Sequence, residues 1–361
     1  MSKNNLNTKT IVFCLDGLKH GGTQQAVIHL LPFMCAEFNK VYLIILQKNQ
    51  SDLRLPNIDN LEILKFNSRK FLDLSLFINL LFFFWKVGPD VIITSMFRSM
   101  IFSTLAKNIK SKVFWLEQNT YTNRTKVQWL FLRLLAHRVN KIVCISNDVA
   151  AYSSKYLNNL QRFVVIPNPI WIPDMNDRQL NRENDFIFVG RLVPQKNPYL
   201  LLEAFDMFLK TYKENSHLHI VGDGELRKSL EMKLNTLGIT DRCTFHGFLP
   251  NLAVYELMKQ TKSLVSTSVI EGLAMVRLEA LANGNCIVTT NSGGTEQFFH
   301  TDSDSGIFIA EPNPKDFAKR MHSSLNAKYH KSEMIDYRKA IARNFSPEKI
   351  SGQFLRLFNF E

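Results

Sequence analysis

A chain of 361 residues is longer than one hydrophobic core of ~250 residues can organise, so about two domains are expected. Hydrophobic residues at 45% and charged residues at 21% exclude a disordered or fibrous chain. The net charge of +12 lies almost wholly in the first half, where residues 1–180 hold 22 Lys and Arg against 11 Asp and Glu; residues 181–361 hold 22 against 21. Such asymmetry suits a partner rich in negative charge, whether a membrane surface, a nucleic acid or a polyanion, although uncommitted surface lysine explains part of it. The apolar run at 71–85 is broken by Asp73, Ser75 and Asn79 and falls short of the ~20 residues that span a bilayer. The start, MSKNNLNTKT, leads into a strand and not into a signal-peptide core, so export is not expected. Cys14, Cys35, Cys144, Cys243 and Cys286 sit in apolar segments without C-x-x-C spacing, as reduced core residues of a cytosolic protein do.

In chain order, a strand is expected at 11–15, then a Gly21-Gly22 turn and a helix at 26–38. The glycine pair permits close backbone approach at a helix mouth, where an anion can sit, although such a pair is often merely a turn. It is no G-x-G-x-x-G, so dinucleotide binding is not indicated. Strands follow at 41–46 and 61–66, an aromatic helix at 72–85, and a strand at 91–94. The helix carries apolar residues on more than one stripe, which fits deep burial or partial insertion at a membrane interface. A strand closing at Trp115-Leu116 delivers Glu117, Gln118 and Asn119 to its carboxyl end, where ligands gather in α/β sheets, although a hydrogen-bonded loop explains the cluster almost as well. Residues 124–141 read as a basic, apolar helix suited to an anionic lipid surface or to a solvated face. Strands at 142–145 and 164–166 complete the first half.

Residues 169–185, with proline, asparagine and charge but no periodicity, read as a linker between a first domain at 1–168 and a second at 186–345; the last helix, 346–361, is expected to pack back on the first. The second half alternates again, with strands at 186–189, 218–221 and 243–245 and helices at 198–212, 226–237 and 252–259. Its centre is a strand at 264–268, a turn at Glu271-Gly272, a helix at 275–282 stopped by Gly284, and a strand at 286–289. A strand near 306–309 and helices close the chain. Two runs of strand–helix units imply two doubly wound, Rossmann-like α/β sheets facing a cleft.

The chemistry concentrates at these turns. Arg191 and Lys196 follow a strand end closely enough to hold a diphosphate, the arginine as fork donor and the lysine as point charge. Such cations stabilise charge on a departing diphosphate without forming a covalent bond. Arg191 alone could equally be a surface ion-pair residue. Glu271 and Glu279 can line one polar ligand at different depths.

Five segments in register, GRLVPQKN, VGDGELRKSLE, FHGFLP, STSVIEGLAMVRLEALANGNCIVTT and GGTEQ, resemble the retaining glycosyltransferases of family 4, with weaker parallels in GGTQQ, EQN, VCISNDVA and VIPNPI. That resemblance implies the two-domain GT-B fold. By it, Arg191 and Lys196 hold the diphosphate of a nucleoside diphosphate sugar, UDP-linked by preference, and Glu279 takes the ribose hydroxyls. Glu271 and the backbone of Gly272, Leu273, Ala274 and Met275 face the transferred hexose or N-acetylhexosamine. Gly247, Phe248 and Leu249 border the base, Gly222 lines the donor site, and Gly22 touches the diphosphate from the first domain. Glu117, Gln118 and Asn119 would contact sugar or acceptor. The family commonly has glycine where Ala274 stands, an aromatic for Leu273 and histidine for Gln118; glutamine can bind a hydroxyl but cannot titrate.

No metal site is expected and no cofactor required: Asp302-Ser303-Asp304 reads as a loop, and His217-x-His219 as structural. The resulting expectation is a bacterial enzyme at the cytoplasmic face of the inner membrane. It would extend a polyprenyl-diphosphate-linked saccharide for lipopolysaccharide, O-antigen or capsule, with no nucleic-acid partner. The alternatives are a glycosidase using Glu271 and Glu279, which would leave Arg191 and Lys196 no diphosphate to hold, and a non-catalytic polyanion-binding module.

Overall fold

The computed structural model describes residues 6–18, 21–47, 55–68, 73–120, 124–157, 162–170, 182–294, 306–327 and 332–358. The chain divides into two compact units, Met1–Ile170 with Phe345–Glu361, and Trp171–Asn344.

The N-terminal unit alternates β1 (Thr10–Leu15), α1 (Gly22–Glu37), β2 (Lys40–Gln47), β3 (Leu61–Ser68), α2 (Leu74–Val87), β4 (Val91–Ser95), α3 (Phe97–Ala106), β5 (Lys112–Glu117), α4 (Lys126–Leu135), β6 (Lys141–Cys144), α5 (Asn147–Leu157) and β7 (Phe163–Val165). The strands are parallel, in the order β3-β2-β1-β4-β5-β6-β7. Order reverses beside β1, the switch point of a doubly wound sheet. Central strands covered on both faces need continuous apolar runs, and β1 and β4 supply them with IVFCL and VIIT, all buried.

The C-terminal unit alternates β8 (Glu183–Val189), α6 (Pro198–Tyr212), β9 (Leu218–Val221), α7 (Arg227–Leu237), β10 (Cys243–Gly247), α8 (Asn251–Gln260), β11 (Thr261–Ser266), α9 (Met275–Asn283) and β12 (Cys286–Thr289), then β13 (Ile307–Ile309), α10 (Pro314–Leu325) and α11 (Ser332–Asn344). Its six parallel strands run β10-β9-β8-β11-β12-β13. Phe186 packs edge-on to Phe208 at 5.1 Å, with Phe205 stacked beside it, so β8 and α6 share one aromatic core. The last helix, α12 (Pro347–Phe358), lies in the N-terminal unit against α1 and sets the Phe358 ring 5.1 Å from Phe114.

Several expected elements change. The helix at 124–141 ends at Leu135, followed by a short 3-10 helix at Ala136–Arg138, because the chain must extend again into β6 at Lys141. α1 starts at Gly22, one turn earlier than its apolar pattern suggests. α3 and α5 occupy stretches where no helix is expected from sequence. The doubly apolar α2 is not deeply buried: Leu76, Leu80 and Phe84 face the core, while Leu74, Ile78, Leu81, Phe82 and Trp85 are exposed. Most of the expected linker, residues 171–181, lies outside the described residues, as do 295–297 of GGTEQ and Asp302-Ser303-Asp304. No described helix is long and apolar enough to cross a membrane. The five cysteines are free, Cys243 half-buried and the others buried.

Candidate functional site

In the C-terminal unit the loops leaving β8, β9, β10, β11 and β12 are tied together at the carboxyl edge of the sheet. Gly190 N–H donates to Val221 O at 3.0 Å, Leu192 N–H to Asp223 O at 2.9 Å and Gly222 N–H to Gly247 O at 2.7 Å. Across the sheet, Val269 N–H donates to Gln195 O and Glu271 N–H to Ser292 O, each at 2.9 Å, and the Gln195 amide donates to Ile270 O at 2.8 Å. The Thr267 hydroxyl donates to the carbonyls of Lys196 and Asn197. Gly222 is needed twice over, since its φ is +124° and a Cβ there would collide with the Gly190 carbonyl. Gly294, at φ +73°, meets the Gly272 carbonyl in the same way. These glycines let backbone pack on backbone, which gives the turns one shape before any ligand arrives.

Onto this lattice the sequence-predicted residues are placed as follows. Arg191 and Lys196 stand on the β8–α6 connection, where Pro194–Lys196 forms a 3-10 turn and Asn197 turns left-handed at φ 45° to start α6. Arg191 is exposed; its carbonyl accepts the Val193 N–H at 3.0 Å, and its guanidinium makes no hydrogen bond or ion pair to a described residue. Lys196 is held by an ion pair from its Nζ to Glu271 Oε1, across the sheet. Burial would raise the Glu271 carboxyl. The Lys196 ammonium and its hydrogen bond, a bond from Ser268 and the Arg277 charge together hold it below the ordinary value. The free site is thus self-neutralised: Lys196 is not waiting uncompensated for an anion.

Gly272, Leu273 and Ala274 are buried in the β11–α9 turn, and α9 starts at Met275. Ala274 has φ −82°, so its methyl fits where the family resemblance leads one to expect glycine, and it offers no side chain to cap the helix. Glu279 is half-buried on α9, its carboxyl makes no hydrogen bond or ion pair to a described residue, and desolvation pushes it up to about 7. At β10, Gly247 has φ +65° and Phe248 is half exposed beside Leu249.

Sequence reasoning missed Arg277, although it is fully buried one turn into α9. Its Nε donates to Ser266 Oγ at 3.1 Å and its Nη2 to Ser292 Oγ at 2.6 Å, so it clamps the ends of β11 and the β12 loop behind Glu271. A buried guanidinium is visible only in three dimensions, because arginine on a helix reads as solvent-facing.

In the N-terminal unit, Gly22 opens α1, whose N-cap is Gly21. The EQN cluster is largely engaged within the fold. Glu117 is buried and paired with Arg124 Nη1 at 2.7 Å, and that guanidinium lies 4.7 Å over the Trp129 ring. Gln118 and Asn168 exchange amide hydrogen bonds at 3.1 and 2.6 Å. Of the three expected sugar contacts, only Asn119 is exposed. The histidines at 217 and 219 gain a neighbour: His219 Nδ1 lies 3.1 Å from His246 Nε2. Among the described residues no three His, Cys, Asp or Glu are placed to hold a metal ion.

The sequence profile of the family "Glycosyl transferases group 1" matches residues 174–341, the stretch that builds the interlocked loops. Over 96% of the chain and 97% of the relative, the sequence is 27% identical to a GalNAc-alpha-(1->4)-GalNAc-alpha-(1->3)-diNAcBac-PP-undecaprenol alpha-1,4-N-acetyl-D-galactosaminyltransferase of Campylobacter jejuni. It is also 27% identical to a UDP-Gal:alpha-D-GlcNAc-diphosphoundecaprenol alpha-1,3-galactosyltransferase of Escherichia coli, over 55% of this chain and 54% of that one. The solved structure of HepE from Anabaena in complex with UDP superposes with a TM-score of 0.77 over 96% of this chain and 98% of that chain, at 16% identity. Likeness over 96% of the chain and the superposition agree with the two parallel sheets, and the chain is a glycosyltransferase with the GT-B fold, similar to those of family 4.

Proposed function

We propose that the protein moves a hexose or N-acetylhexosamine, with retention at the anomeric carbon, from a UDP-sugar to a saccharide carried on a polyprenyl diphosphate. The product would be a precursor of lipopolysaccharide, O-antigen or capsule. The reading rests above all on one observation, the grouping of Arg191, Lys196 and Glu271 on a single interlocked set of strand-end loops, with Glu279 on the helix that follows Glu271. The lipid-linked acceptor is supported by the relatives from C. jejuni and E. coli, both named for undecaprenyl-diphosphate saccharides. The UDP donor is supported by the name of the second and by the UDP complex of the Anabaena protein.

In this reading the donor diphosphate draws Lys196 away from Glu271 and is held by Lys196 and Arg191. Glu271 is thereby released toward the sugar, ionised and able to accept hydrogen bonds from its hydroxyls. Glu279, ionised, accepts the ribose diol. The bond from the anomeric carbon to the diphosphate oxygen breaks as the acceptor oxygen bonds that carbon on the same face, and the acceptor's proton passes to the departing phosphate. No protein nucleophile is needed. The charge that grows on the leaving group is met by two side-chain cations, so the reaction requires no metal in this scheme. Work at the cytoplasmic face of the inner membrane, where nucleotide sugars and lipid carrier meet, completes the proposal.

The deciding experiment offers the protein a panel of UDP-sugars and a polyprenyl-diphosphate saccharide in buffer with EDTA, and weighs the products by mass spectrometry. One added sugar residue with release of UDP is the expected result. Free sugar without an extended acceptor would restore a hydrolase.

A further inference from the structure

A second collection of cations lies at the opposite edge of the N-terminal sheet, where β5, β6 and β7 begin. There the segment after α3, the 3-10 helix Ala136–Arg138 and the residues leading into β6 and β7 line a pocket of about 890 Å³. Its walls carry Lys107, His137, Arg138, Lys141 and Arg162 and no carboxylate. Pockets of ~300–1,000 Å³ suit small ligands and headgroups. Arg162 is accounted for by the fold, since its Nη1 donates to the carbonyls of Ala136, His137 and Val139 and so closes the 3-10 turn that follows α4. Arg138 has no such duty: it is exposed and makes no hydrogen bond or ion pair to a described residue. Lys107 donates to Ser111 O at 3.0 Å, and burial together with the nearby Arg138 charge holds its ammonium below the ordinary value. Residues 97–162 contain eleven Lys and Arg against two acidic residues, of which Glu117 is buried in its own pair.

Apolar surface flanks this pocket. On α4, Val127, Leu130, Phe131 and Leu134 recur at helical spacing and are all more than half exposed, and the Leu134 carbonyl meets the His137 ring nitrogen at 2.6 Å. Ile109, in the pocket wall, is 96% exposed. α2, α3 and α4 pack side by side, so the exposed stripe of α2 belongs to the same helix layer. Two apolar stripes at helical period around an acid-free basic pocket match the make-up of an interfacial membrane surface.

We propose that this pocket receives the phosphate of an anionic lipid headgroup, with Arg138 and Lys107 as its cations, while the α4 stripe and Ile109 enter the acyl boundary. The choice of a membrane as occupant rests on the lipid-linked acceptor proposed above; the charge and shape of the pocket do not. The full-length protein is floated with vesicles of phosphatidylcholine alone and with vesicles carrying about one-third phosphatidylglycerol. Flotation with the anionic vesicles only is expected. Arg138→Glu should weaken it ~10-fold, and Leu130→Gln with Leu134→Gln by a similar factor. Both variants should keep the wild-type melting temperature and wild-type transfer onto a water-soluble, short-chain acceptor. Variants that float like the wild type, or equal binding to neutral vesicles, would overturn the assignment. So would a vesicle-indifferent protein whose dimer Leu130→Gln with Leu134→Gln dissolves, which gives the face to a second copy. If the wild type instead binds anionic vesicles but fails to extend the soluble acceptor, the glycosyl-transfer reading falls and the headgroup site stands.

Discussion

The carboxyl edges of the two sheets look alike in outline and differ in how their loops are held. In the C-terminal unit, backbone bonds tie the loops after β8, β9 and β10 to one another, and those after β11 and β12 likewise, around glycines with no room for a Cβ. In the N-terminal unit the corresponding loops are closed by side chains: Glu117 with Arg124, Gln118 with Asn168, and half-buried Asp16 accepting the Ser99 N–H at 2.7 Å. Charged and polar residues at strand ends therefore do not by themselves mark a ligand site. Interlocked backbone does, because it fixes donors and acceptors without consuming the side chains that a ligand will need.

The largest effect that bears on this contrast is chemical. Lys196→Ala and Glu279→Ala are each expected to lower transfer by ~10²-fold or more, measured as kcat/KM for the donor, while Glu117→Gln leaves donor kinetics nearly untouched. Lys196→Ala also strands Glu271 and should cost ~3 kcal/mol in urea unfolding, tolerable in a protein with ~5–15 kcal/mol of stability. Normal turnover in either variant would remove that residue from the site and dissolve the contrast.

Next in size is a test of the two stripes of α2. Phe84, fully buried, should lose ~3–5 kcal/mol on replacement by alanine. Trp85, 72% exposed, should change stability by less than ~0.5 kcal/mol as Trp85→Gln. Equal losses in thermal denaturation would mean that the outer stripe is covered in the folded protein.

A smaller effect sharpens the C-terminal side. With its carboxyl raised to about 7 from an ordinary 4.5, Glu279 favours its protonated form in the free site. Its contribution to stability is therefore present below about 4.5 and is lost as pH rises through about 7. A ribose diol needs the ionised form, so donor KM should fall roughly 10-fold between about pH 6 and pH 8 as that form becomes dominant. Glu279→Gln should flatten the profile, and a flat wild-type profile would separate Glu279 from the donor.

Much of this architecture was legible in the chain. α6 and β9 follow the residues that periodicity and punctuation pick out, Pro198–Tyr212 and Leu218–Val221, because their signals are local. α3 escaped because its start is not: Met96 turns at φ 76°, and the N–H groups of Arg98 and Ser99 are met by Asp16, some eighty residues earlier. The end of α4 escapes for the same reason, since the carbonyls of the 3-10 turn that follows it, at Ala136 and His137, are taken by Arg162 from beyond the next helix. At the site, glycine spacing exposed the turns, but neither the Lys196–Glu271 pair nor the burial of Arg277 can be read from residues 75 and 11 positions from their partners.

The pairing of Lys196 with Glu271 also bears on selectivity among small anions. A carboxylate fixed to the same scaffold competes at a local concentration that free solutes do not reach, so inorganic phosphate would have to outbid a permanently present rival. Only a molecule gripped elsewhere as well, through its base or its ribose, arrives with enough additional affinity to win that contest. In this way an ordinary ion pair can keep the enzyme from being clogged by the commonest anions of the cell.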